Sequence, residues 1–347
     1  MQWRKGKIAL DEDVPHLELA VYNGKYYVSF PPVPAVPIYF LSFVFGSNVP
    51  DTLLIQLYAI FACLLLHKML MKKTSPIKAA LWAFLFCFAS SLLPLLQNGG
   101  VWYQAQVLAF LFTVWSIERM DGDSPAASLF LYALSVGCRP FNALYGPLIM
   151  LIYIIKQKNI KISIKKLLPG ICLGLLVAGA YALYNYMRFG DIFEFGHSYL
   201  PEFSTQGGTQ FSVRHLAQNI QRFVFGLPLK TTNGHIALKI FGFSLFLANP
   251  LILCMLIWLM YDIKAQKINA AKILIVLFCS VHIFLFLLHR TGGGYQYGAR
   301  YFADCLPYCF LYALKAPQTI KRTKTISIIL LALGFAGAAI GACYVHL

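Results

Sequence analysis

The chain has 347 residues, of which 59% are hydrophobic and only 12% are charged, and its formal net charge is +16. Soluble domains carry about a quarter charged residues, and a soluble core of this length has no room for so much apolar surface. The composition therefore excludes an ordinary soluble domain and predicts an all-α polytopic membrane protein of about ten spans.

Residues 1–51 contain no apolar run long enough to span a bilayer, and they are predicted to form an extracytoplasmic loop. The loop carries the acidic run Asp11–Asp13 and a polar and aromatic phrase, NGKYYVSFPP, from Asn23 to Pro32. The apolar segment Pro34–Gly46 that follows is too short to cross the membrane comfortably. We expect it to form a helix that lies in the membrane interface.

Apolar runs typical of transmembrane helices fill most of the remaining chain. They divide it into a first half of the bundle at residues 52–187, a second extracytoplasmic loop at 188–239 and a second half at 240–347. The ten expected spans are Thr52–Leu70, Lys78–Leu96, Val101–Ile117, Ser124–Gly137, Phe141–Ile155, Leu167–Met187, Ile240–Tyr261, Ala271–His289, Ala299–Leu314 and Thr325–Tyr344. Within the second loop, helical spacing of apolar residues over Ser212–Phe225 predicts an amphipathic interfacial helix.

Lysine and arginine are concentrated in short segments, which orient the chain through the positive-inside rule. The four clusters are Lys68–Lys78, Lys156–Lys166, Lys264–Lys272 and Lys315–Lys324. An even number of predicted spans separates each cluster from the next, so all of them are expected on the cytoplasmic side. The acidic turn Glu118–Asp123 is the exception on that side. Topology thus accounts for most of the positive charge, and no nucleic-acid partner is predicted.

Three phrases resemble membrane glycosyltransferases of the GT-C superfamily: NGKYYVSFPPVPAVP at Asn23–Pro37, YNYMRFGDIFEFGHSY at Tyr184–Tyr199 and GYQYGARYFADCLP at Gly294–Pro307. The most similar branch holds the dolichyl-phosphate-mannose protein mannosyltransferases and the bacterial lipid A aminoarabinose transferases. The resemblance implies a GT-C-like helix bundle in the cell membrane, with its active face outside. It also implies transfer of a sugar from a polyprenyl-phosphate donor to a glycan, lipid or protein acceptor. The donor is a co-substrate, and no cofactor is implied.

The sequence departs from the family's pattern at two places. Phe30 stands where the family has a phosphate-binding lysine. The family also has a transmembrane helix ahead of the acidic loop, followed by an aspartate that acts as general base, and this sequence starts where that helix would end. A truncated start and a loss of the helix both remain open. The alternative function is therefore a non-catalytic protein that binds a lipid-linked sugar, or a partner subunit of the same fold.

A transporter ranks below both functions. Transporters carry internal repeats and mid-membrane charges, whereas this sequence has no convincing repeat and its charges are expected at one face.

The acidic run supplies candidates for the general base that takes a proton from the acceptor hydroxyl. These candidates are Asp11, Asp13 and Glu12, and a solvated acidic turn is the alternative. Lys25 is a candidate ligand of the donor phosphate, or else a surface lysine in a glycine turn. Tyr26 and Tyr27 either shape a sugar site or anchor the loop at the interface.

Arg139 and Arg300 are predicted phosphate ligands, because a guanidinium binds phosphate through two parallel N–H bonds. Both lie at outer ends of predicted spans, where the charge bias is against them. Snorkelling towards water is the alternative. Tyr297 belongs to the same predicted substrate-binding set, and Asp304 is expected to pair with Arg300 at i,i+4 spacing. The histidines lack the spacing of metal ligands, so no metal site is predicted.

Overall fold

The computed structural model describes residues 2–14, 17–201, 209–232, 235–239, 241–292 and 296–344. The chain is 70% helical and contains almost no sheet. The α-helices, in chain order, are α1 Ala35–Phe45, α2 Asp51–Met71, α3 Pro76–Phe88, α4 Leu92–Leu95, α5 Val101–Asp121, α6 Pro125–Val136, α7 Gly146–Gln157, α8 Ile160–Phe189, α9 Leu216–Phe223, α10 Leu245–Ala248, α11 Pro250–Lys264, α12 Ala270–Leu287, α13 Leu306–Lys315, α14 Pro317–Arg322 and α15 Lys324–Tyr344.

Four helices in the described part of the chain, α2, α8, α12 and α15, are long and apolar enough to cross a membrane. Their length and composition agree with the predicted class, an all-α membrane protein. The finer prediction of ten spans is not shown, because several predicted spans are divided into shorter pieces. A polar break or a 3-10 turn lies at each of these divisions.

The predicted span Lys78–Leu96 is interrupted between α3 and α4 by two buried serines. Asn249, which separates α10 from α11, accepts hydrogen bonds through its Oδ1 from the Ser91 amide at 3.1 Å and the Ser91 hydroxyl at 2.9 Å. Backbone breaks at this depth are tolerated only where other groups satisfy the freed N–H and C=O groups. Two helix breaks therefore face each other, and Asn249 satisfies two donors of Ser91 while its own Nδ2 is buried without a described partner.

Two further predicted spans begin with a 3-10 helix rather than an α-helix. Pro140–Tyr145 precedes α7, and Arg300–Cys305 precedes α13. Arg139 and Ala299, the residues just before these turns, have extended backbone. Both predicted phosphate ligands therefore lie where the chain enters a 3-10 turn, and not on a regular helical face.

We call the two segments predicted to be extracytoplasmic, residues 1–51 and 188–239, the first and second outer regions. The first contains a β-hairpin, which pairs β1 Leu19–Tyr22 with β2 Lys25–Val28. Asn23 and Gly24 both have positive φ, at 50° and 71°, as a two-residue type I′ turn requires. A second hairpin, β3 Leu229–Thr232 with β4 His235–Leu238, lies in the second outer region. The backbone of Leu10 joins the first hairpin by donating to the Tyr26 carbonyl at 2.8 Å.

Helix α1 has the length expected for the interfacial segment, 11 residues. Its exposed side includes Phe40, Phe43 and Val44, of which Val44 is 78% exposed. Exposed aromatic and aliphatic side chains on such a short helix fit the membrane interface better than water. The predicted amphipathic segment Ser212–Phe225 forms a 3-10 turn followed by α9.

The acidic turn after α5 is neutralised by the basic clusters that the sequence places on the same side. Lys68 binds Glu118 at 2.8 Å, and Lys166 binds Asp123 at 2.7 Å. The Lys166 ammonium is the main cause of the lowered pKa of the Asp123 carboxyl. Segments from the first two lysine clusters thus meet at one end of the bundle.

Asp262, at the end of α11, is fully buried and binds three elements at the basic end. Its Oδ2 accepts from the Lys272 ammonium at 2.7 Å and from the Tyr312 hydroxyl at 2.8 Å, while Thr319 donates to Oδ1. Lys272 also donates to the Lys267 carbonyl at 2.9 Å. Every charge in this group has a partner, so the group is structural.

Replacing Asp262 by alanine is expected to destabilise the protein by about 3–5 kcal/mol, because it leaves the Lys272 ammonium buried and unpaired. Thermal unfolding of the purified protein in detergent measures this loss. Lys166→Met is the matched control: it breaks the exposed pair with Asp123, and its effect is expected to be below about 1 kcal/mol. Equal losses in the two variants would contradict the structural role of the buried pair.

Candidate functional site

Arg300 is the first residue of the 3-10 helix Arg300–Cys305. Its guanidinium is buried and has no counter-ion among the residues that the structure describes. The residue is only 4% exposed, and Nε is a buried donor without a partner. No hydrogen bond or ion pair joins its guanidinium to any residue that the structure describes. Its contact there is the Tyr301 ring, whose centroid lies 5.3 Å from Cζ. An uncompensated buried cation is costly, so this position favours an anionic ligand.

Arg139 lies nearby but has its charge neutralised. Its Nη2 is 3.3 Å from Asp304 Oδ2, and the other carboxylate oxygen accepts from Gln106 Nε2 at 2.6 Å. The Arg139 guanidinium also stacks over the Tyr301 ring, at 4.4 Å from its centroid. The same ring is therefore shared by a paired and an unpaired arginine, which places two cations side by side.

The expected pairing of Asp304 with Arg300 is wrong, because the Asp304 carboxylate binds Arg139. The reason is the local backbone: residues 300–305 form a 3-10 helix. With about three residues per turn, positions i and i+4 point roughly a third of a turn apart. The pairing predicted from α-helical spacing does not form, and Arg300 keeps its positive charge unpaired.

Glu18 is the carboxylate that the fold brings into electrostatic range of Arg300. It directly precedes β1, and its Oε2 accepts from the Trp102 indole N–H at 3.2 Å. The Ser29 hydroxyl donates to its backbone carbonyl at 3.2 Å, which ties it to the end of the hairpin. The hairpin and the start of α5 thus hold the Glu18 carboxylate within electrostatic range of Arg300, although no hydrogen bond or ion pair between the two is described. We call Glu18, Arg139, Arg300 and Asp304 the arginine site.

The second outer region anchors the hairpin that carries Glu18. Arg188, at the end of α8, donates to the Val28 carbonyl at 2.7 Å and to Asn185 Oδ1 at 2.7 Å. Its guanidinium is therefore used inside the protein, unlike that of Arg300. Phe189 packs against Tyr27, with ring centroids 5.4 Å apart. These contacts fix the hairpin against the end of a membrane-spanning helix.

The predicted catalytic carboxylates lie on the surface. Asp11 accepts from Lys7 Nζ at 2.7 Å and from Gln2 Nε2 at 2.9 Å, and chiefly the Lys7 bond lowers the pKa of its carboxyl. Glu12 and Asp13 are exposed beside it. Asp11 thus ties the N-terminal 3-10 turn Gln2–Lys5 to the start of the loop. No contact described for this carboxylate reaches the arginine site.

The hairpin residues predicted to bind substrate have different surroundings. Lys25 is exposed at the turn, where its backbone pairs with Tyr22. Tyr26 is half-buried, whereas Tyr27 is buried in a small aromatic cluster with Phe189. Tyr26 and Tyr27 therefore point to opposite faces of the hairpin, as strand geometry requires. In the contacts described, none of the three touches Arg300.

Tyr297 is buried between Phe243, which lies just before α10, and helix α15. Its ring lies 5.0 Å from that of Phe243. A Cβ added at Gly341 would lie 2.2 Å from the Tyr297 ring, so α15 approaches this tyrosine closely only because glycine is present there. The contacts of this ring are structural, and they fix the loop that leads into Arg300.

Glu18 and its hydrogen-bond partner Trp102 are not among the candidates predicted from the sequence. Their joint signal is weak, because a single carboxylate before a strand and a tryptophan at a helix start are common at membrane surfaces. Among the described residues, no group of three or more histidine, cysteine or acidic side chains has the geometry of a metal site.

No family model, curated protein or solved structure matches this chain. The resemblance to glycosyltransferases therefore depends on the phrases quoted above and remains a prediction. The fold and the arginine site have to be interpreted from their own geometry.

Arg300→Met is expected to raise the thermal stability by about 1–3 kcal/mol, because it removes an unpaired buried cation while keeping an unbranched apolar stem. Arg139→Met should instead lower it, because Asp304 would be left buried and unpaired. Thermal unfolding of both variants without added lipid measures the contrast. A loss of stability in Arg300→Met equal to that in Arg139→Met would show that the Arg300 charge is satisfied within the protein.

Proposed function

We propose that the protein transfers a sugar from a polyprenyl-phosphate donor to a hydroxyl group of an extracytoplasmic acceptor. The observation that carries this proposal is the buried guanidinium of Arg300, which has no ion-pair partner among the described residues and lies within electrostatic range of the Glu18 carboxylate. An unpaired buried charge lowers the free energy of unfolding. Charges kept at such a cost are typical of binding and catalytic positions. A cation for the phosphate and a base for the acceptor are the two groups that the reaction needs.

Arg300 binds the donor phosphate through two N–H bonds, and Arg139, whose charge Asp304 neutralises, lies close by. Asp304, which accepts a hydrogen bond from Gln106, holds Arg139 in place, so little reorganisation is needed when the phosphate leaves. Negative charge on the phosphate oxygens grows as the sugar–phosphate bond lengthens. The Arg300 cation stabilises that charge more strongly than it stabilises the bound donor, and this difference lowers the barrier.

Glu18 acts as the general base. The acceptor oxygen attacks the anomeric carbon and forms the new glycosidic bond, while the bond from that carbon to the phosphate oxygen breaks. The bonding electron pair leaves with the polyprenyl phosphate, and the acceptor proton moves to the Glu18 carboxylate. The Trp102 N–H bond fixes one carboxylate oxygen, so the other is available for the proton.

The membrane setting supports a lipid-linked donor. Helix α1 exposes Phe40, Phe43 and Val44, which fit a position in the interface near the hairpin. A donor held at this level keeps its hydrocarbon tail in the bilayer while its sugar and phosphate reach polar side chains. A soluble nucleotide sugar does not need these exposed apolar residues.

The second function, binding of a lipid-linked sugar without transfer, is favoured by Phe30. Its ring packs against Trp102, with centroids 5.6 Å apart, at the position where the resembling family has a lysine. A protein of this kind keeps Arg300 and needs no base. The two functions therefore differ in what Glu18 does and not in what Arg300 does.

Glu18→Gln is expected to lower sugar transfer by about 10²–10⁴-fold, because the amide keeps the shape and the Trp102 contact but cannot take the proton. The measurement supplies the purified protein with a panel of radiolabelled polyprenyl-phosphate sugars and follows the release of polyprenyl phosphate. Donor binding should be retained in the variant. Asp11→Asn and Asp13→Asn test the acidic run in parallel.

A loss confined to Asp11→Asn or Asp13→Asn would move the base to the acidic run. Donor binding by the wild type with no turnover of any sugar in the panel would favour the binding function. Failure of the wild type to bind any donor would contradict both functions.

A further inference from the structure

Helix α8 packs against the rest of the bundle along a narrow strip of its surface. In its first three turns the buried residues are Ser163, Leu167 and Gly170. They are spaced three or four residues apart, so they form one face of the helix. A Cβ at Gly170 would lie 2.9 Å from the backbone of α6, which shows how closely this strip is packed. Leu175 and Leu176, further along α8, are exposed, as expected for a helix in contact with lipid.

Lysines occupy the opposite side of the same turns. Lys161 and Lys165 are exposed. At about 100° of rotation per residue, they lie about 160° around the helix from the strip that Ser163 and Leu167 form. Because they are four residues apart, their ammonium groups are neighbours, and like charges at this spacing destabilise a helix. Lys158, just before α8, is exposed as well. No hydrogen bond or ion pair joins these three side chains to any residue in the described ranges.

The acidic turn after α5 does not neutralise these lysines. Asp123 accepts from Lys166 Nζ at 2.7 Å and from the Tyr153 hydroxyl at 2.8 Å. Gln157 donates to the same carboxylate at 2.6 Å. Lys166 is thus a paired lysine of α8, whereas the other three carry their charge without a described counter-ion. A ligand that supplies negative charge would remove the repulsion between them.

The position of the lysines along α8 indicates that a lipid headgroup supplies this negative charge. The uncharged residues 167–187 of the helix span about 31 Å at 1.5 Å per residue, which is close to the thickness of the hydrocarbon core. The lysines therefore lie just outside the hydrocarbon, at the level of the phosphate groups. Exposed apolar side chains lie among them on the same turns, namely Ile162, Ile164 and Leu168. A soluble anion does not need these apolar neighbours, whereas a phospholipid contacts both kinds of side chain.

We propose that the first turns of α8 bind the phosphate group of an anionic phospholipid, with Lys161 and Lys165 as the paired cations and Lys158 beside them. The exposed Ile164 and Leu168 contact the upper part of its acyl chains. The proposal is independent of sugar transfer. Since α8 ends next to Arg188, which anchors the first hairpin, a lipid bound at its start holds the helix from the opposite end.

Binding is measured with the full-length protein in detergent, titrated with phosphatidylglycerol and followed by native mass spectrometry. Phosphatidylcholine with the same acyl chains is the probe without net charge, and glycerol 3-phosphate is the anion without chains. We expect phosphatidylglycerol to bind about 25-fold more tightly than phosphatidylcholine, because each of two lysines near an anionic headgroup contributes about a factor of five. Glycerol 3-phosphate at the same concentration is expected to leave the bound lipid in place.

Lys161→Gln combined with Lys165→Gln should weaken phosphatidylglycerol binding by about 25-fold, because both factors of about five are lost. The matched control, Lys264→Gln combined with Lys321→Gln, removes two exposed lysines of the third and fourth clusters, and it should bind the lipid as the wild type does. Lys161→Arg combined with Lys165→Arg keeps both charges and should retain binding. If the glutamine variant on α8 does not fold, Lys158→Gln combined with Lys165→Gln replaces it.

Equal losses in the α8 and control glutamine variants would overturn the proposal, because the total charge and not the face of α8 would then decide the affinity. Equal affinities for phosphatidylglycerol and phosphatidylcholine would also overturn it. Displacement of the lipid by glycerol 3-phosphate would contradict it too, since the site would then bind a soluble anion. These measurements involve no turnover, so their failure leaves the proposed transfer reaction to its own test.

Discussion

Arg139 and Arg300 both contact the Tyr301 ring, but only the Arg139 guanidinium is paired with a carboxylate. The functional interpretation depends on this difference. Arg139 is bound by Asp304, which Gln106 also holds, whereas Arg300 is buried with no counter-ion in the described part of the chain. Burial strengthens every interaction of an unpaired charge, including those with a ligand. Arg139 therefore has a structural role, whereas the charge of Arg300 remains available to an anionic ligand.

The surroundings of the arginine site support this arrangement. At the facing helix breaks, Asn249 accepts hydrogen bonds from the amide and the hydroxyl of Ser91, so these two donors are satisfied inside the bundle. The hairpin is anchored on the end of α8 by Arg188, and the residue just before it, Glu18, lies within electrostatic range of Arg300. Ion pairs at the basic end join Lys68 to Glu118, Lys72 to Asp121 and Lys166 to Asp123, and the buried Lys272 pairs with Asp262.

Much of the architecture can be predicted from the sequence, because apolar run length and lysine position are direct consequences of the bilayer. The interfacial α1 and the two arginines are identified by such arguments. The hairpin was not predicted, although Asn23-Gly24 is a strong turn signal, because polar residues around it were interpreted only as a loop. Pairing in the arginine site depends on a 3-10 turn and on contacts between Asp304 and a residue 165 positions away, which no local pattern encodes.

The most direct test of the account is the thermal stabilisation of the protein by a polyprenyl phosphate without sugar. Ligand at about 100 times its dissociation constant should stabilise the wild type by roughly 2.7 kcal/mol. We expect the stabilisation to vanish in Arg300→Gln and to persist in Arg214→Gln, an exposed arginine of the second outer region. Equal stabilisation of both variants would contradict the claim that Arg300 binds the lipid phosphate.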